Sequence, residues 1–291
     1  MNQTIDHIVI LGGGTAGWLT ANILAAEFDP SSPISITLLE SPTTPTIGVG
    51  EGTWPSMRST LLKVGISEQD FISCCGATLK QGTLFTGWRT GGDETYYHPF
   101  TMPHGFMDIN LAEYWNSGVL GKQSFAQAVT PQFDVCEAGL APKQLQIPEY
   151  AFSLNYGYHL DAGKFAALLR DHAVGKLGVK HILADVTDVQ SRADGDIDFL
   201  LTSEGSLHGD FFVDCSGFRS LLLGEHFGVP TERKDPVLFN ARALAVQVPY
   251  SNPNASIATT TRATAHQAGW DWRSGLQHRR GGGADVSSQH T

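Results

Sequence analysis

The sequence predicts an α/β fold organised on a parallel sheet, and three observations carry that prediction. Ile8-Val9-Ile10-Leu11 is a short apolar run that stops at three glycines, as a strand buried on both faces does. Leu19, Ile23 and Ala26 then fall at i, i+4 and i+7, the spacing of a helix packing one face back onto such a sheet. After a break at Asp29-Pro30-Ser31-Ser32-Pro33, Ile34 to Leu39 resumes as a second strand ending on Glu40. Strand, helix and strand make a complete βαβ unit.

The remaining elements follow in order. Pro55 suits the first turn of a helix, with Met57, Leu61 and Val64 on one face and Gly65 as its stop. Ser67 followed by Asp70 predicts the cap of a third, short helix. Residues 90–150 are rich in Gly, Pro, Tyr and His with weak periodicity, and read as an irregular insertion covering a cavity. Asp161 is placed to cap a helix with Phe165, Leu168, Leu169 and His172 along one stripe and Gly178 past its end. From Val179 the chain alternates like strands, turning at Asp194-Gly195 and Glu204-Gly205. Those hairpins lead to Phe211-Phe212-Val213 and then Asp214-Cys215-Ser216-Gly217. The tail, RRGGGADVSSQHT, shows neither a helix nor a strand pattern.

With 41% apolar and 16% charged residues, 291 residues are enough for one large or two ordinary globular domains. The formal charge of -10 argues against a broad attraction to nucleic acid or anionic lipid, so an anionic ligand must be held by local donors. No apolar run approaches the length of a membrane span, and the start MNQTIDHIVILGGG lacks a basic leader and cleavage site, which predicts a soluble cytoplasmic protein. Cys74, Cys75, Cys136 and Cys215 fit neither disulfide arithmetic nor zinc spacing and read as reduced thiols. The histidines include no HExxH, so no metal site is expected.

Gly12-x-Gly14-x-x-Gly17 has the spacing in which the first glycine permits a tight turn, the second lets backbone approach a pyrophosphate, and the third lets helix lie close to strand. The helix N-terminus supplies amides and dipole for the anion, without any lysine. Glu40, ending the second strand, is placed to accept from ribose hydroxyls. NAD and FAD both fit this much. IGVGEGTWP, whose glycines let backbone run beside a flat ring, and VDCSGF, a second strand-to-glycine element, favour non-covalent FAD. The expected architecture is thus a Rossmann-like FAD-binding domain of the glutathione reductase/aromatic hydroxylase type. It occupies 1–89 and 151–224, with the 90–150 insertion on the substrate side and an incomplete substrate domain from 225 to 291.

GGGTAGW, ESPTTPTIGVGEGTWP, ATLKQGTLFTGW, YYHPF, YHLDAGKFAALLRDHA and DCSGFRSLL together resemble the flavin-dependent tryptophan halogenases, in that family's order and approximate spacing up to about residue 272. The resemblance implies that reduced FAD, delivered as FADH2 by a separate flavin reductase, uses oxygen and halide to make hypohalous acid. That oxidant travels to a lysine beside a small aromatic substrate such as tryptophan or indole. The matching lysine is Lys80 in ATLKQG. The resemblance also carries Gly12, Gly14, Thr15, Ala16 and Gly17 to the pyrophosphate and Glu40 to the ribose. Ile47, Gly48, Val49, Gly50 and Glu51 fall along the isoalloxazine with the halide nearby, Val186 falls near the adenine, and Asp214 and Gly217 belong to the return element.

Two departures stand out. The family's WxWxIP signature, thought to hold substrate away from the flavin, reads Trp270-Asp271-Trp272-Arg273-Ser274-Gly275 here, and Ser-Gly in place of Ile-Pro predicts a looser plug. Family members also run on beyond the length of this chain, and that part supplies a glutamate opposite the lysine which no residue in 1–291 matches. A C-terminally truncated member is therefore expected. A flavin-dependent aromatic monooxygenase, which does not need Lys80, and a non-catalytic FAD-binding fragment are the competing readings.

Overall fold

A computed structural model of the chain describes residues 4–28, 31–45, 47–49, 51–234 and 236–287. Gly50 and the Asp29-Pro30 break lie outside the described residues. In chain order the first half comprises β1 (His7–Leu11), α1 (Thr15–Glu27), β2 (Ser35–Glu40), α2 (Ser56–Val64), α3 (Glu68–Cys75), β3 (Thr78–Lys80), β4 (Gly82–Thr86), β5 (Thr95–Pro99), α4 (Leu111–Asn116), α5 (Phe125–Val129) and α6 (Gln132–Glu137). The second half comprises β6 (Gly157–His159), α7 (Ala162–Lys176), β7 (Lys180–Leu183), β8 (Val186–Ser191), β9 (Ile197–Thr202), β10 (Gly205–His208), β11 (Phe211–Asp214), β12 (Asn240–Pro249), β13 (Thr261–His266), β14 (Gly269–Gly275) and β15 (Arg279–Ser287). These divide into two units, one of residues 1–48, 63–66 and 162–233, the other of 49–62, 67–161 and 234–291.

The first unit holds an all-parallel sheet in the order β11-β1-β2-β7. Ile8, Val9, Ile10, Leu38 and Leu39 are buried in it, as apolar runs of parallel strands require. The face of α1 differs from expectation. Gly17, Trp18, Ala21 and Asn22 are its buried residues, while Leu19, Ile23 and Ala26 are only half-buried. α1 also packs on α7, and the fully buried Asn22 donates to the Trp18 and Leu169 carbonyls at 2.8 and 2.9 Å, which moves the inner stripe toward that neighbour. On α7, Phe165 and Leu169 are buried as predicted, and His172 Nε2 hydrogen-bonds the Val64 carbonyl at 2.8 Å. Beyond β7 the alternating segment forms its own antiparallel sheet, β10-β9-β8, before β11 returns to lie parallel to β1.

The second unit is built on a six-stranded sheet, β12-β15-β14-β13-β4-β5, and β3 and β6 pair antiparallel as a separate two-stranded sheet. The 90–150 stretch is more ordered than its composition predicts: it contributes the edge strand β5 and the short helices α4, α5 and α6. The tail requires a larger correction, since Arg279–Ser287 is a strand paired on both sides, with β12 and with β14. Its glycines hide the pattern because close neighbours leave no room for side chains: a Cβ on Gly283 would lie 2.2 Å from the Leu244 carbonyl oxygen. α3 is capped as predicted, with Ser67 Oγ accepting from Asp70 N at 3.0 Å and Gly76 closing it at φ +55. No helix among the described residues is long and apolar enough to cross a membrane.

Candidate functional site

The first unit carries a cradle at the β1-α1 turn. Gly12 adopts φ +116, and a Cβ there would sit 2.2 Å from the Cys215 carbonyl oxygen, so the turn and the β11 return element touch through backbone alone. A Cβ on Gly17 would lie 1.8 Å from the Gly12 carbonyl oxygen, which is the close helix-strand approach the third glycine exists to permit. Around Gly14 the space is open. Gly14 is also the N-cap of α1, with no side-chain cap and no acidic residue in the first turn, so Thr15 and Ala16 begin a helix whose amides are left for an external anion. These residues fit a pyrophosphate.

Glu40 ends β2 and lies across Gly13, where a Cβ would meet its carboxyl carbon at 2.0 Å. His181 Nε2 holds its Oε2 at 2.9 Å, and the His181 ring packs edge-on against Trp18 at 4.9 Å. Sequence reasoning missed His181, whose only signal is a position on β7 beside the end of β2. Asp214 accepts from Ser216 N and Oγ at 3.0 and 2.5 Å and from Leu222 N and Leu223 N at 2.8 and 3.1 Å. Burial pushes its carboxyl up, yet these donors leave it below the usual range. It therefore shapes the return turn, which opens at Gly217 with φ +67. Val186 starts β8, half-buried and packed on the core of Val9, Leu39 and Leu200. Ile47 is exposed and Gly48 adopts φ +66.

The second unit carries Val49, Glu51 and Lys80. Residues 51–53 run antiparallel to β6: Leu160 N donates to the Glu51 carbonyl at 2.9 Å, Thr53 N to the Tyr158 carbonyl at 2.8 Å, and Gly52 bridges His159. β3 pairs with the other side of β6, Lys80 opposite Gly157, which brings Gly52 and the lysine together. Lys80 Nζ lies 3.4 Å from where a Gly52 Cβ would be and 5.5 Å from the centre of the Phe100 ring. No carboxylate among the described residues is in ion-pair contact with it. Burial lowers its pKa from the usual lysine value.

Several residues that hold this arrangement were not foreseen. His159 is fully buried, with Nε2 on Thr261 Oγ1 at 2.9 Å; burial first and the nearby Lys80 charge second press its pKa down to about 3, so it stays neutral. Gln81 is fully buried and donates to Leu140 O and Thr259 Oγ1 at 2.8 and 3.1 Å, fixing the residue after the lysine. Glu68 accepts from Lys143 Nζ at 2.6 Å, Tyr156 Oη at 2.6 Å, Tyr158 Oη at 2.7 Å and Tyr150 N at 2.9 Å. Glu51 points inward, 8% exposed, with Oε1 on Arg279 Nη2 at 2.5 Å. At 270–275, Trp270 and Trp272 lie 5.7 Å apart on β14. The looser plug expected there is not found: Ser274 is buried, Gly275 pairs with Arg280, and the Gly275 carbonyl accepts from Thr78 Oγ1 at 2.5 Å. Pairing with β15 on one side and the Thr78 hydroxyl on the other fix this stretch.

A parallel sheet with a glycine turn, an uncapped helix start and a carboxylate ending the second strand defines a Rossmann-like nucleotide-binding protein of the mixed α/β class. The tryptophan halogenase family model matches residues 7–291. The chain is 35% identical to tryptophan 6-halogenase ThaL of Streptomyces albogriseolus over 100% of its own length, and 34% identical to tryptophan 7-halogenase RebH of Lentzea aerocolonigenes over 99%. Its fold is similar to the crystal structure of tryptophan halogenase from Shewanella frigidimarina NCIMB 400, with TM-score 0.94 and 48% identity over 100% of the chain. This chain belongs to the tryptophan halogenase family. It spans 57% of the length of each of these relatives.

Proposed function

We propose that this chain carries the FAD-binding and lysine-bearing part of a flavin-dependent halogenase acting on an electron-rich aromatic such as tryptophan or indole. Gly12, Gly14, Thr15, Ala16 and Gly17 hold the pyrophosphate and Glu40 the ribose. The backbone of Ile47, Gly48, Val49, Gly50 and Glu51 accompanies the isoalloxazine, Val186 stands near the adenine, and Asp214 and Gly217 shape the return turn. When bound, reduced FAD supplies the two electrons with which oxygen and halide give hypohalous acid and water. A separate flavin reductase supplies the FADH2, in the cytoplasm.

Lys80 is the observation that carries the reading. A half-buried amine with no carboxylate partner among the described residues is poor as a structural cation and well suited to a small oxidant. Its protonated form donates a hydrogen bond to hypohalous acid. Its neutral form, favoured by burial, attacks the halogen to give a haloamine, with hydroxide leaving and taking the amine proton as water. Either way the halogen is held in place and the ring accepts it as an electrophile, losing a proton.

The test incubates the full chain with FAD, a reducing system, oxygen, bromide and tryptophan or indole, and reads products by mass spectrometry. The bromine isotope doublet is expected. A product heavier by one oxygen and lacking bromine would transfer the chain to the aromatic monooxygenases, and a chain that binds FAD but yields neither product is a binding module.

A further inference from the structure

The strip that brings Glu51 and Gly52 to Lys80 is tied down by one guanidinium. Arg279 Nη2 donates to Glu51 Oε1 at 2.5 Å and to Asp161 Oδ2 at 2.9 Å, joining positions 228 and 118 residues apart. Its side chain is 16% exposed and that of Glu51 8%, so the pairs lie where water competes weakly. Hydrogen bonding to Glu51 first, then to Asp161, holds the guanidinium charged against the cost of burial. Gly281 completes the seat, since a Cβ there would fall 1.5 Å from Glu51 Oε2. Any larger residue two positions after Arg279 would push the carboxylate out.

This arrangement fixes more than one side chain. With the carboxylate turned inward, Glu51 offers a ligand only its backbone, and its carbonyl is already committed to Leu160 N. The peptide before Gly52 is thus held from β6, while the Glu51 side chain that fixes its other end is held by a residue at the start of β15.

We infer that Arg279, seated by Asp161 and Gly281, is a positioning residue for the flavin-facing strip, holding its backbone in the conformation that receives the isoalloxazine. The inference rests on the FAD reading above. Without Arg279 the buried Glu51 carboxylate loses its one charged partner among the described residues, turns toward solvent and carries the strip with it.

The experiment titrates FAD into the full wild-type chain and into Arg279→Met, Arg279→Lys, Asp161→Asn and Arg192→Met, following flavin fluorescence and the visible circular dichroism of the bound flavin, with melting curves in parallel. Arg192→Met breaks a different ion pair, Arg192 to Asp198 at 3.2 Å, and controls for the loss of an arginine elsewhere. Arg279→Met is expected to weaken FAD binding at least tenfold and to change the flavin dichroism. Arg279→Lys should recover part of both, Asp161→Asn should give a smaller change of the same sign, and Arg192→Met should leave the affinity and the dichroism unaltered. If Arg279→Met does not fold, Arg279→Lys and Asp161→Asn carry the decision. Wild-type dichroism and affinity in all folded Arg279 and Asp161 variants overturn the inference alone. Absence of FAD binding by the wild type overturns it together with the FAD reading.

Discussion

Lys80 is held at a cost to the fold. Its ammonium is desolvated without a carboxylate to compensate among the described residues, and its pKa is lowered accordingly. The unfolded chain binds that proton more tightly, so the folded state is penalised below the lowered pKa and the penalty fades as pH rises toward the usual lysine value of 10.5. Replacing Lys80 by Met should therefore raise the midpoint of thermal unfolding at pH 7, by on the order of 2 °C or more, and the gain should shrink in alkaline buffer. Differential scanning calorimetry at two pH values checks this. The cradle makes the opposite kind of demand. Gly17→Ala places a Cβ 1.8 Å from the Gly12 carbonyl oxygen and must force helix from strand; loss of FAD binding is expected, read by flavin fluorescence, while Gly14→Ala, with open space at its Cβ, should fold normally.

At the scale of elements, β6 and α3 form the frame behind the lysine. Glu68, on α3, accepts from Tyr158 within β6 and from Tyr156 just before it. Burial raises its pKa, and the donors, Lys143 first, outweigh that and leave it lowered. Its contribution is therefore present above the usual carboxylate value of 4.5 and is lost as pH falls through the lowered one. His159 acts in the same direction, because protonating it below its unfolded value of 6.5 is disfavoured in the fold. Acid unfolding of this unit should thus begin on the acid side of neutrality and steepen below pH 4.5, and Glu68→Gln should cost about 3–5 kcal/mol at pH 7 and progressively less as the pH falls through the lowered Glu68 value, measured by urea unfolding. A smaller loss, about 1 kcal/mol, is expected for the α3 cap variant Ser67→Ala.

The elements also show what a sequence exposes. β1, α1, β2 and the cap of α3 were legible because local periodicity and local hydrogen bonds determine them. β15 was not, because RRGGGADVS is made a strand by partners on both sides and by glycines that fit beneath Leu244 and Glu51. α1's inner stripe was misplaced because α7, about 150 residues later, competes with the sheet for its buried face. For the site, the glycines stand out as residue types in a pattern, and Lys80 is reached only through the family resemblance of ATLKQG. His181, His159, Gln81 and Arg279 do not, since their importance lies in pairings across long sequence separations.

At the scale of the whole molecule, the six-stranded sheet has an uncovered strip. β12 is the edge strand opposite β5, and Leu244, Val246 and Val248 on one face are 72%, 53% and 42% exposed, beside a cavity of about 500 Å3 that reaches Trp272. Apolar edges of this kind attract dyes and other strands. The chain should bind an anilinonaphthalene sulfonate dye in its native state, and Val246→Lys should reduce both that signal and concentration-dependent light scattering without changing its circular dichroism. The proposed halogenation requires both the nucleotide cradle and Lys80. It is tested most directly by measuring brominated tryptophan from the wild type and from Lys80→Ala side by side, with FAD affinity determined for both. The account predicts product from the wild type, none from Lys80→Ala and equal FAD affinity. Equal amounts of brominated product from the two proteins would contradict it.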